Sequence, residues 1–283
     1  MKNYFKTSAA ILAAGLFIIS GCQKMERPAL GNYPKDNFVP GGPLKFYAAY
    51  DGGTDNRAMN AVDSIQGTFP ADNQLTFDNG INGKCLKGEN KKFVNYAKPN
   101  DWALYAKSFS ISFWYKRDGQ TKNNAGTNGP EYIFSFKSSY GHWSGANTFL
   151  LLEGNNSACA VKLMMVDKNM NDKWFVWEGG NSIPGLLDNQ WHHLVLVYDA
   201  ATSQLRLYKD GVVNPVISTW TSHGNINLND GHISEFRVGA GPGTNYNTDD
   251  WLSSTWKGLI DQLRFYSSAL TASEVSTLYN GKL

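Results

Sequence analysis

Charge is scarce in this chain. Asp, Glu, Lys and Arg make up 18% of its 283 residues, below the usual quarter, and 26 Lys+Arg stand against 24 Asp+Glu. No basic excess marks a nucleic-acid binder and no acidic tail marks a binder of basic partners, so the expected partner is uncharged or weakly charged and no nucleic acid is expected. Motifs for chemistry are missing as well. There is no C-x-x-C or H-E-x-x-H metal-ligand cluster, no G-x-S-x-G nucleophile elbow and no E-x-D pair. The seven glutamates, Glu26, Glu89, Glu131, Glu153, Glu178, Glu235 and Glu274, are scattered singly, whereas glycoside hydrolysis needs two carboxylates about 5–10 Å apart. His192 and His193 are adjacent, and neighbours on a strand face opposite sides, so they cannot converge on one ion. Cysteine is limited to three residues. Cys85 and Cys159 sit in strand-like runs where a thiol packs as a small hydrophobe, and two buried thiols are expected in preference to a bridge.

No apolar run reaches the roughly twenty residues that span a bilayer. The longest, from Ala9 to Ile19, follows a charged start (Met1 to Lys6) and ends in Ile19-Ser20-Gly21-Cys22, the layout of a secretory signal. Small residues directly before a cysteine resemble a bacterial lipobox. That resemblance implies a cleaved segment 1–21 and a lipidated Cys22 that anchors the chain to a membrane. Removing Lys2 and Lys6 with the signal leaves 24 Lys+Arg against 24 Asp+Glu, a neutral mature chain. Residues 22–43 lack periodicity and carry Pro28, Pro34, Pro40 and Pro43, as an extended tether does.

Aromatics and glycines are plentiful, with 13% Phe, Trp and Tyr and 28 glycines. Rings suit pleated surfaces and glycines suit tight turns. Strands are expected at 109–117, 132–137, 148–153, 158–166, 174–178, 193–199, 204–209, 235–239 and 258–266. In the first of these, alternation places Ile111 and Phe113 on one face. Asp210-Gly211 between two β-type runs predicts a hairpin. Many short strands without intervening helices predict antiparallel sheets packed face to face. Thr271-Ala272-Ser273-Glu274 is a capping box that predicts one terminal helix. With no internal repeat evident, residues 44–283 are read as one all-β domain.

Several segments together resemble the laminin-G-like branch of the concanavalin A-like lectin/glucanase superfamily. These are Phe46 to Gly52, Gly80 to Leu86, Phe109 to Tyr115, Trp191 to Asp199 followed by Leu205 to Gly211, and Trp256 to Tyr266 followed by Ala269 through Tyr279. The resemblance implies a jelly-roll β-sandwich of two antiparallel sheets with a short C-terminal helix. It also implies that Trp114, Trp191 and Trp256 fill the sandwich. Relatives often fasten their terminal strands with calcium, and Asp51 and Asp261 occupy matching positions for such an ion. Glucanases of the superfamily use E-x-D-x-x-E, which this chain lacks, so a non-catalytic binding function is expected.

Neutral sugars are held by flat rings against C–H faces and by amides or carboxylates that bond hydroxyls. Two glycine-rich segments offer both. Residues 138–147 carry Tyr140, His142 and Trp143, and residues 241–251 carry Tyr246, Asp249 and Trp251. Trp174 and Trp177 fall on opposite faces of one strand, and Trp177 is taken as the candidate to line the binding sheet. The expected ligand is a polysaccharide or oligosaccharide. The lipobox, tether and fold resemble surface lipoproteins of Bacteroidetes glycan uptake, with Lys24 and Glu26 loosely like their surface-export signal. That implies an outer-membrane location beside a glycan transporter and its partner lipoprotein. Two alternatives remain open at this stage: a hydrolase or lyase using an acid pair among Asp167, Asp172, Asp249 and Asp250, and a protein-binding adhesion module.

Overall fold

The computed structural model describes residues 42–52, 57–70, 75–99, 101–118 and 129–282. Residues 1–41, on which the expected export segment, Cys22 and nearly all of the expected tether fall, lie outside the described residues. Two antiparallel sheets form a jelly-roll sandwich. The first contains β1 (Leu44–Ala48), β4 (Thr76–Asn79), β5 (Lys84–Gly88), β7 (Phe109–Arg117), β12 (Trp191–Asp199), β13 (Gln204–Lys209), β14 (Val212–Val213), β15 (Ser218–Thr219) and β17 (Gly258–Tyr266). The second contains β6 (Val94–Tyr96), β8 (Glu131–His142), β9 (Ala146–Gly154), β10 (Cys159–Val166), β11 (Asp172–Trp177) and β16 (Ile233–Val238). A small ribbon pairs β2 (Met59–Asn60) with β3 (Ile65–Gln66). Along the first sheet the order is β14-β13-β12-β7-β17-β5-β4, with β1 also on β17, and along the second it is β11-β10-β9-β8-β16-β6.

Alternation explains both faces of β7. Phe109, Ile111, Phe113 and Tyr115 enter the core between the sheets, while Ser110, Ser112 and Trp114 point the other way. That outer face is covered by the terminal helix α2 (Ala272–Gly281), where Trp114 stacks on Tyr279 at 5.5 Å. Thr271 and Glu274 form the expected capping box, each bonding the other's backbone amide. The core is dominated by rings: Phe136–Phe236 centroids lie 4.7 Å apart, Phe46–Phe236 4.9 Å and Phe134–Phe265 4.9 Å. Such pairs add about 0.5–1.5 kcal/mol each beyond area burial. In the short helix α1 (Trp102–Tyr105), the fully buried Trp102 donates its indole N–H to the Tyr266 carbonyl at 3.0 Å.

Cys85 and Cys159 are both free and buried, and burial pushes each thiol up to about 12. At the β13–β14 turn Asp210 and Gly211 take φ of 52° and 79°, the left-handed pair that a two-residue hairpin requires. Three expectations change. Residues 138–147, read as a loop, are mostly strand, because β8 and β9 run through them and only 143–145 form the turn. Trp191 is half-buried at a strand end, and Trp114 packs under α2 instead of between the sheets. Trp256 does fill the sandwich.

His192 and His193 do face opposite sides. His193 lies beside Trp114 at 4.9 Å, and burial drives its pKa down to about 3. His192 sits between two carboxylates, Nδ1 at 2.9 Å from Asp210 and Nε2 at 3.0 Å from Asp188. Both nitrogens can donate only in the imidazolium form. Burial opposes that charge, yet the bonds to Asp210 and Asp188 outweigh it and raise the pKa above 6.5. The resulting stabilisation is fully present below about pH 6.5 and is lost as pH rises through the folded-state value. Asp188 and Asp210 are lowered below 3.8, chiefly by hydrogen bonds that outweigh burial, so their contribution is lost only as pH falls through those depressed values. Thermal melts across pH are expected to show a Tm that declines above neutrality, and His192→Gln is expected to flatten that decline.

Candidate functional site

The outward face of the second sheet carries rings and charges where solvent-facing strands usually carry small polar residues. Cross-strand register sets Leu151 opposite Lys162 and Lys162 opposite Val176, and the next row sets Phe149 opposite Met164 and Met164 opposite Trp174. The inward rows, Leu150-Leu163-Phe175 and Leu152-Val161-Trp177, are core. A groove of about 520 Å³ lies over the outward rows, lined by Leu151, Glu153, Lys162, Trp174, Val176, Glu178 and Trp251.

Two connections bring rings to one end of this groove, Trp251 into its lining and Trp143 against Trp174 and Trp251. The β8–β9 turn carries Trp143, whose φ of 51° begins a left-handed run through Ser144 and Gly145, a conformation that is an outlier for a bulky side chain. The segment between β16 and β17 carries Trp251 at the start of a single 3-10 turn, where Asp250 accepts from the Leu252 amide. Trp143 meets Trp174 edge to face at 5.2 Å, and Trp251 lies 6.1 Å from Trp174 and 6.2 Å from Trp143. Trp143 and Trp251 are each 39% exposed, so the cluster presents indole to solvent. Lys137 holds the two connections together, donating to the Ser144 carbonyl at 2.7 Å and the Pro242 carbonyl at 2.8 Å. Arg237 donates to the Gly243 carbonyl at 2.7 Å. A Cβ on Gly243 would lie 2.1 Å from Ser253 Oγ, so glycine is required for this close return of the backbone.

At the far end of the groove the Lys162 ammonium lies 2.9 Å from Glu153 and 2.9 Å from Glu178. Burial works against its charge, but the bonds to Glu178 and Glu153 prevail and raise its pKa. None of these three was a sequence candidate. Their signal was one charged residue in the apolar run Cys159-Ala160-Val161-Lys162-Leu163, which marks the outward face of β10.

The sequence candidates divide. Trp143 and Trp251 come together, Trp251 in the groove lining and Trp143 packed beside it. Trp177 does not: it is fully buried and its indole N–H is donated to the Val216 carbonyl at 2.9 Å, because its strand partners face the core. Trp174 takes the outward position instead. Tyr246 folds back on Phe93 at 5.2 Å, and its hydroxyl donates to the Gly241 carbonyl and accepts from Arg237. Burial pushes that hydroxyl up to about 12. His142 is exposed beside the Met170 carbonyl at 2.9 Å, and Asp249 is exposed in its loop; neither lines the groove. The side chain of Tyr140 lies outside the described residues.

Asp51 and Asp261 converge on residues 81–84. Asp261 accepts from the Ile81 amide at 2.9 Å, and Asp51 accepts from the Lys84 amide. Asp261 is fully buried, and its Oδ1 has no hydrogen-bond partner among the described residues. Burial, with Asp51 nearby, raises its pKa well above 3.8. An orphaned buried carboxylate oxygen beside a second carboxylate is a donor set suited to a hard cation. Among the described residues no group of three or more His, Cys, Asp or Glu accompanies it, so the remaining ligands would be backbone oxygens and water.

A laminin G-type family model, described as the concanavalin A-like lectin/glucanases superfamily, matches residues 91–276. The chain belongs to this superfamily. Among solved structures, the lectin/glucanase-type chain is similar to domain 4 of AbnA, a GH43 extracellular arabinanase of Geobacillus stearothermophilus, in complex with arabinotriose. The identity is 20% and the TM-score 0.55, over 83% of this chain and 98% of that one. It is also similar to the binding domain of botulinum neurotoxin serotype G, at 18% identity and TM-score 0.55 over 84% of this chain and 51% of that one. The binding domain of paraclostridial mosquitocidal protein 1 gives 17% identity and TM-score 0.55, over 85% and 52%. The chain thus spans about half the length of each toxin binding domain. At these identities the likeness shows the fold alone. No curated protein sequence matches.

Proposed function

We propose that this protein is a non-catalytic carbohydrate-binding module, held at the outer membrane through lipidated Cys22 and reaching outward on residues 22–43. The single observation that carries the binding reading is the groove on the second sheet, where the exposed indole of Trp251 and the half-buried Trp174, with Trp143 packed against both, share a lining with Glu153, Lys162 and Glu178. Rings supply stacking area against sugar C–H faces and the charged trio fixes orientation. The arabinotriose complex of a similar fold supports an oligosaccharide ligand. Capture for a neighbouring outer-membrane glycan transporter and its partner lipoprotein is the role that the lipobox and tether favour. The test is a glycan array probed with the exported chain carrying Cys22→Ser, which leaves it unlipidated. Binding to a defined glycan class supports the reading, and a blank array contradicts it.

One observation favours a hydrolase as the second reading. Glu153 and Glu178 each lie 2.9 Å from the same ammonium, so two carboxylates converge on one point of the groove, as a glycosidase pair must. Against it, Lys162 occupies the space between them that a glycosidic oxygen would need. Release of reducing ends from a bound glycan would favour the enzyme.

A structural calcium ion completes the proposal. Asp51 and Asp261 would hold it, and it would supply rigidity between the β1 end, the 81–84 turn and β17, with no part in the groove. Thermal melts are expected to show a higher Tm in calcium than in chelator, and Asp261→Asn is expected to abolish the difference; equal Tm values in the parent would contradict the site.

A further inference from the structure

We infer that the groove selects uncharged glycans and rejects acidic ones, because the one cation among its lining residues is already claimed by two carboxylates. This inference rests on the groove being a glycan site. Lys162 directs two of its three N–H groups at Glu153 and Glu178, each at 2.9 Å. Together the three side chains carry a net charge of −1, and the glutamates are about half exposed, at 47% and 51%, against 21% for the lysine. An incoming uronate or sulfate therefore meets carboxylate before it meets ammonium, and like charges at contact repel. A sugar hydroxyl meets the opposite situation. One ammonium N–H remains to donate, and carboxylate oxygens stand on either side to accept, so a pair of neighbouring hydroxyls finds a donor flanked by acceptors. The exposed indoles of Trp143 and Trp251 add stacking that is indifferent to charge.

The register of three strands makes this arrangement. Glu153 is the last residue but one of β9, Lys162 lies within β10 and Glu178 follows β11. Lys162 is thus held from both flanks by neighbours on adjacent strands, and its ammonium cannot swing toward an anion without abandoning one of them. Charge selection here is a property of the pairing and not of the lysine alone.

The experiment is calorimetric titration of the exported Cys22→Ser chain, and of the same chain with Glu153→Gln and Glu178→Gln, against neutral arabino-, xylo-, gluco- and manno-oligosaccharides and against oligogalacturonate and a sulfated oligosaccharide. The parent is expected to bind at least one neutral series, with an affinity unchanged within about twofold between low and high salt, as screening leaves uncharged contacts alone. Acidic ligands are expected to bind at least about tenfold more weakly, the scale of uncompensated charge at an interface. In the double variant the trio's charge becomes +1, and binding of the acidic ligands is expected to rise by at least about tenfold and to weaken with salt. All three side chains are partly exposed, so a matching Tm for the two proteins establishes that both are folded, and the parent's salt dependence is read without any variant. A parent that binds acidic and neutral glycans equally, or a folded double variant that gains no acidic binding, overturns the selectivity and leaves the site reading standing. A parent that binds none of the ligands overturns the site reading itself.

Discussion

Replacing Trp251 with alanine is expected to weaken glycan binding by about thirtyfold or more while leaving the fold in place. Loss of a central interface tryptophan typically costs about 2 kcal/mol or more, and each 1.4 kcal/mol is about tenfold in Kd. Trp251 stands in a single 3-10 turn with 39% of its surface exposed, so little core packing goes with it and Tm is expected to stay within a few degrees of the parent. Trp174→Ala should lose binding as well, but with a stability cost, since its ring also packs on Phe149 at 5.3 Å. Trp177→Ala supplies the contrast. That ring is fully buried between the sheets, and its removal is expected to destabilise the fold by about 3–5 kcal/mol without a specific effect on affinity in whatever fraction remains folded. Titration of the three variants, each with its own melt, separates groove from core.

Removing the Glu131 carboxylate is expected to destabilise the fold by about 3–5 kcal/mol, the cost of breaking a buried ion pair from one side. Glu131 is fully buried, and its carboxylate lies 3.5 Å from the Arg117 guanidinium, whose side chain is 3% exposed. Its second oxygen accepts from the Lys257 amide at 2.8 Å. One side chain thus joins the end of β7, the start of β8 and the approach to β17. Burial already lowers the Arg117 pKa, against the opposing pull of Glu131, so taking Glu131 away removes that pull from a buried cation 5.7 Å from the Trp256 ring. Glu131→Ala should show the full loss in equilibrium urea unfolding. Replacing both charges together, Arg117→Met with Glu131→Leu, should recover most of it, because a buried pair exchanged for packed apolar groups is often near neutral. A Glu131→Ala protein within about 1 kcal/mol of the parent would contradict this account.

How far the sequence could be read depended on whether a feature was local. Strands β7, β13 and β17 have the bounds expected from the sequence, the Thr271–Glu274 box and the Asp210-Gly211 turn follow from chemistry within four residues, and the two buried thiols follow from their strand-like runs. The site was harder. Residues 138–147 read as a loop because they are rich in glycine and serine and the pairing of β8 with β9 shifts register between Lys137 and His142, which breaks the period of two that identifies a strand. Trp174 and Trp177 could be assigned to opposite faces, but which face is inward depends on Leu163 and Leu150 being the neighbours of Phe175, a fact of pairing. Tyr246 looked free because its captor, Arg237, is nine residues back, on β16. The trio of Glu153, Lys162 and Glu178 becomes visible only when three strands are set side by side.

Sugar is expected on the outward face of the second sheet, and a crystal structure of the protein with a bound oligosaccharide would show whether it sits there. The account predicts a sugar ring stacked on Trp174 or Trp251, with hydroxyls bonded to the trio formed by Glu153, Lys162 and Glu178. A saccharide bound elsewhere on the sandwich, with those indoles untouched, would contradict it.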